Sequence, residues 1–170
     1  MNPTTFSAAK TVSTATITRE AAAALLAAAR TAAAESGFEA AVAVTDTGGY
    51  LRAFERGDGA PALTADIALN KAYTAATSGR ATHVWQAIVA DPSAAQLAHT
   101  PRLVAAAGGY PILANGMVVG DWALRAARPN RTRLSRSRPC GRSASTCSRG
   151  CFQRKQGVVK QLGKNLRFGS

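Results

Sequence analysis

A chain of 170 residues can bury one sizeable core. Its net charge of +12 would suit a nucleic-acid binder, but residues 1–120 hold eight Lys plus Arg against eight Asp plus Glu and are neutral. Residues 121–170 hold thirteen Lys plus Arg against Asp121 alone, so the bulk charge describes neither part; no run of about 20 apolar residues is present to span a membrane.

Residues 1–15 are small and polar and read as a loose leader. Thr18 is placed to cap a helix over residues 19–36, with Glu20 facing the helix dipole favourably and Gly37 just past the end. Leu25, Leu26, Ala29 and Ala33 form its apolar stripe. Glu20 and Arg30 flank the apolar run 21–29, and only Lys10 precedes it as a positive charge, so it does not read as a signal peptide. A cytoplasmic location is the default expectation.

Ala40, Val42 and Val44 alternate with Ala41, Ala43 and Thr45, the period of two expected of a strand. Asp46-Thr47-Gly48-Gly49 supplies a turn, through a short acid that can bond the backbone two residues on and glycines that accept positive φ. Tyr50, Leu51, Ala53 and Phe54 begin the return strand, which runs to about Arg56. The hairpin lies between two alanine-rich helical stretches, so both are expected to pack on its sheet.

A Gly57-Asp58-Gly59 loop leads to a second helix over residues 61–78, with Pro61 in its first turn and Gly79 past its end. Leu63, Ile67 and Lys71 share one face of it. Thr82 is placed to cap a third helix carrying Val84, Trp85, Ile88 and Val89, which Asp91-Pro92 breaks. Residues 93–107 suit a short helix or an irregular segment. Gly108-Gly109-Tyr110-Pro111 reads as a bend. Ile112-Leu113-Ala114 and Met117-Val118-Val119-Gly120 flank Asn115-Gly116, a strong hairpin signal. The order α-β-β-α-α-β-β predicts an α+β domain, an antiparallel sheet of four to five strands with helices packed on it.

These motifs also carry a resemblance. Val42-Ala43-Val44-Thr45-Asp46-Thr47-Gly48-Gly49, Arg56-Gly57-Asp58-Gly59-Ala60-Pro61, Lys71-Ala72-Tyr73-Thr74-Ala75, Gly79-Arg80-Ala81-Thr82 and Gly108-Gly109-Tyr110-Pro111-Ile112 follow one another as in the GlcG/HbpS-like family. That family includes the C-terminal domain of PduO-type proteins. The resemblance covers about residues 17–120 and implies a PAS- or profilin-like sandwich. It further implies a small-ligand-binding accessory protein, haem or a related tetrapyrrole as the ligand of some members, and homo-oligomers built on helical and sheet faces. The family has no universal activity.

From Asp121 the apolar pattern stops, and Arg and Ser dominate to Arg142. The resemblance instead implies a continued last strand, a glycine-rich segment and a Thr-Pro-Glu-Gln-Asp-like helix start. Back-translation with GC-rich codons, read from the third base of each codon, can give that string: Pro129-Asn130-Arg131-Thr132 becomes Glu-Gln-Asp. We therefore expect a frameshift, a domain over residues 16–120 truncated at its C-terminal end, and a disordered basic tail over 121–170. Loss of the closing elements would leave the product poorly soluble or marginally stable. Cys140, Cys147 and Cys151 all fall in that tail; with no histidine after Cys140 they do not make a zinc site.

Six residues are candidates for chemistry. Asp46 suits turn formation or a polar pocket rim. Lys71 suits a snorkelling stem over the sheet or a carboxylate contact. Arg80, with the amides of a helix opening at Thr82, suits an anion. Lys71, Arg80 and Thr82 fall on the family's motif positions. His83 and His99 are the only histidines; the resemblance makes each a conceivable haem axial ligand, and the alternative for each is a surface or helix-end residue. Tyr50, Phe54, Tyr73, Trp85 and Tyr110 read as core or interface rather than a base-stacking platform. Three functions fit: small-ligand binding, an enzyme of small organic acids in a catabolic pathway (Lys71 and Arg80 gripping a carboxylate, Asp46 accepting a proton), and non-specific nucleic-acid association through the tail.

Overall fold

A computed structural model describes residues 13–127. In chain order its elements are helix α1 (Arg19–Glu35), strands β1 (Glu39–Thr45) and β2 (Leu51–Arg56), helices α2 (Leu63–Ser78) and α3 (Thr82–Ile88), a 3-10 helix (Ala95–His99), and strands β3 (Gly109–Ala114) and β4 (Met117–Ala127). The strands form one antiparallel sheet in the order β2-β1-β4-β3. The expected α+β architecture holds, with four strands.

Strand alternation sorts the core into two layers. Ala40, Val42, Val44, Trp122 and Leu124 face α1, against Ile17, Leu25, Ala29 and Ala33. Ala41, Ala43 and Ala123 face the other way, against Ala68 and Ala72 of α2. Small side chains on both sides of that second layer let α2 lie close to the sheet. Thr18 caps α1, its hydroxyl accepting a hydrogen bond from Ala21 N at 3.1 Å. Gly37 follows α1 in the left-handed region at φ 71°.

Several expectations are corrected. Helix α2 starts at Leu63, not Pro61, and Leu63 is 66% exposed. The buried face is Thr64, Ala68, Lys71, Ala72 and Ala75, one residue round the helix from Leu63. Helix α3 is entered from Ala81, and Thr82 lies inside it rather than capping it. Residues 93–107 combine the 3-10 helix with irregular chain. Strand β3 begins at Gly109, so Tyr110 and Pro111 are in the sheet rather than in a bend. Pro111 is tolerated because β3 is an edge strand.

The largest correction concerns β4, which runs through Asp121 to Ala127 instead of stopping at Gly120. It is a central strand with helices on both faces, so its residues are buried on both sides and no polar alternation marks it. The expected 1–15 leader is described only at residues 13–15, which are exposed. The expected disorder, nucleic-acid contact and cysteines of the tail beyond Ala127 lie outside the described residues. Among the described residues no helix is long and apolar enough to cross a membrane.

Candidate functional site

The chain crosses from the 3-10 helix to β3 over residues 102–109, and three side chains of α2 and α3 hold that crossing. Lys71 is 1% exposed, and its ammonium donates to the Ala107 carbonyl at 2.6 Å. It is therefore an inward-facing lysine, not a snorkelling one. Thr82 is fully buried; its hydroxyl donates to the Ala106 carbonyl at 2.7 Å and accepts from Gly109 N at 2.9 Å. The Thr74 hydroxyl accepts from Val104 N at 3.0 Å and lies 3.0 Å from the Arg102 carbonyl. A Cβ on Gly109 would sit 2.7 Å from the Lys71 carbonyl and 2.8 Å from Thr82 Cγ2, so only glycine permits this close crossing.

The β1–β2 turn docks on the same helix. Asp46 Oδ1 accepts from Gly48 N at 3.0 Å and from Tyr50 N at 2.9 Å. Its carboxylate thus forms the turn, and the local alternative read from the sequence describes its contacts. Gly49 packs against Tyr73, whose ring carries Arg102 over its face at 3.6 Å from the centroid.

Where the crossing reaches β3, a row of rings runs from solvent into the core. His83 on α3 is exposed, and its ring centroid lies 6.2 Å from that of Tyr110 on β3. Tyr110 in turn stacks on Trp122 of β4 at 5.7 Å, and Trp122 is buried in the α1 layer. Burial pushes the Tyr110 phenol above its ordinary value, so it is neutral at physiological pH. Arg80 is exposed at the α2–α3 junction, three residues before His83. His99 is exposed at the end of the 3-10 helix.

The expected site residues thus divide. Lys71 and Thr82 are inside, bonded to the crossing strand. Arg80 and His83 are exposed, and His83 lies beside Tyr110. Asp46 is at the hairpin tip, and His99 is on a separate element.

Two features were missed. Between α1, β1 and the β2 end lies a cavity of about 270 Å³, lined by Arg30, Phe38, Glu39, Val42, Glu55 and Asp58. Arg30 Nε reaches Glu55 Oε1 across it at 3.7 Å. Thr45 and Asp121 are register partners on β1 and β4, buried on the α2 face. Among the described residues, their side-chain oxygens are the buried ones lacking a hydrogen-bond partner. Burial raises the Asp121 carboxyl well above the usual carboxylate range. An acid in Val118-Val119-Gly120-Asp121-Trp122-Ala123-Leu124 was the available signal.

Comparison with known proteins places this geometry. GlcG of Escherichia coli K12 is 31% identical over 104 residues, which is 61% of this chain and 77% of GlcG. A double mutant of Streptomyces reticuli HbpS superposes with a TM-score of 0.68 at 31% identity, over 75% of this chain and 86% of that one. A PduOC–haem complex superposes with a TM-score of 0.67 at 17% identity, over 91% of this chain and 97% of its own, a likeness of fold. The model of the family described as haem degrading protein HbpS-like matches residues 17–123. The chain belongs to the HbpS-like family.

Proposed function

We propose that this chain is a small-ligand-binding protein whose ligand is haem or a related tetrapyrrole, taken up at the edge of the sheet by His83 and Tyr110. The observation that carries the reading is the exposed imidazole of His83 beside the half-buried phenol of Tyr110 at the sheet edge. The donor set suits the group. A neutral imidazole can ligate iron, a flat aromatic edge can cover part of a macrocycle, and Arg80, exposed three residues before His83, can meet a carboxylate side arm. When bound, haem would supply iron redox or oxygen chemistry; the protein's own part is to orient it and shield one face. Membership of a family described by haem degradation, and the fold shared with a PduOC–haem complex, support the ligand class.

Haemin titrated into the purified chain is expected to give a Soret band that saturates near one equivalent. No spectral change at stoichiometric haemin would remove the proposal. The carboxylate-gripping enzyme has less support, because Lys71 is turned inward on the Ala107 carbonyl while Arg80 is exposed.

A further inference from the structure

We infer that this chain leaves its original reading frame at codon 121, one base having been lost there, and that Asp121 is the first residue foreign to the fold. The carboxylate is the starting point. Asp121 is fully buried on a central strand, and neither of its oxygens has a hydrogen-bond partner. Its register partner Thr45 is orphaned with it. An unpaired buried carboxylate costs several kcal/mol, and nothing in the ring row or the 102–109 crossing uses it.

The genetic code then supplies an independent check. Asp codons end in C or T, and Trp has the single codon TGG. Reading from the third base of codon 121 therefore gives CTG or TTG, both leucine, whichever Asp codon is used. The next triplet joins the last G of TGG to the GC of the Ala123 codon, which is always glycine. In place of Asp121-Trp122-Ala123 the frame holds one incomplete codon, then Leu, then Gly. The bases G and A are left of the incomplete codon. A base restored between them gives GCA, GGA, GTA or GAA, which encode Ala, Gly, Val or Glu. The first three are small and apolar, as a layer of Ala41 and Ala43 against Ala68 and Ala72 demands. Leucine in place of Trp122 suits the α1 layer, and glycine fits the fully buried position 123.

Composition changes as such a shift requires. Residues 1–120 contain 34 Ala and 6 Arg, and residues 121–170 contain 4 Ala and 10 Arg. An alanine codon GCG followed by G, entered at its second base, reads CGG, which is arginine. An alanine-rich frame thus becomes an arginine-rich one without selection for a basic partner.

Two full-length products test this. One carries a single base restored in codon 121, making it GCA. Its thermal midpoint is expected to rise by roughly 10 °C or more over the chain as it stands. The other is Asp121→Ala in the unaltered frame, expected to gain roughly 4–8 °C at pH 7. A restored product no more stable than the present chain would overturn the inference. So would a lower midpoint for Asp121→Ala, because the carboxylate would then be held by a partner the fold needs.

Discussion

A lysine whose ammonium is out of reach of water must find its partners inside the protein, and Lys71 finds one in the Ala107 carbonyl. Lys71→Met keeps most of the volume and removes that bond. It should destabilise the domain by about 2 kcal/mol in urea unfolding, with no effect on haemin binding if the ligand sits at the ring row. Thr82→Val removes a hydroxyl that serves two backbone groups and should cost about 1–3 kcal/mol in the same assay. Asp121 sets the pH dependence. Its folded-state carboxyl is raised by burial, so the folded chain keeps the proton where the unfolded chain has released it. Stability is then greatest below the ordinary carboxylate value and falls as pH rises towards the raised one. Lys71 is the other buried titratable group on the α2 face, and its ammonium donates to the Ala107 carbonyl. A urea series from pH 3 to pH 8 should give that decline, and Asp121→Ala should flatten it; a chain that gains stability over this range would contradict it.

Among the elements, those marked by local chemistry were legible in the sequence. Thr18, Gly37 and Gly79 marked helix ends, and Asp46 to Gly49 and Asn115-Gly116 marked the two hairpins, because caps and tight turns are decided by the residues that make them. What the sequence hid was settled by distant contacts. Thr82 has the chemistry of a cap, yet its hydroxyl is taken by Ala106 and Gly109, 24 and 27 residues away. Leu63 looked like part of the inner stripe, but the close approach of α2 selects alanines instead. Strand β4 was lost because a central strand covered on both faces has no polar alternation, and Arg125 interrupts its apolar run. The crossing over 102–109 is the element on which the fold most depends. Gly109→Ala should destabilise more than a typical surface glycine, by over about 2 kcal/mol, since the new methyl meets backbone at 2.7 Å. Equal stability of Gly109→Ala and the parent in urea would count against the close crossing.

At the scale of the whole molecule, the chain is an HbpS-like domain matched over residues 17–123, and its composition changes from residue 121. The candidate site was half legible: His83 and Arg80 were visible as residue types, but Tyr110 and Trp122 join them only because β3 and β4 pair at that register. Only the fold could bring the stacked pair beside an α3 histidine. The measurement that decides the functional account is a haemin titration followed at the Soret band, run on the parent chain, His83→Ala and His99→Ala. The account predicts a saturating band for the parent and for His99→Ala, and binding at least about tenfold weaker for His83→Ala. An unchanged titration for His83→Ala would contradict it and move the ligand away from the ring row.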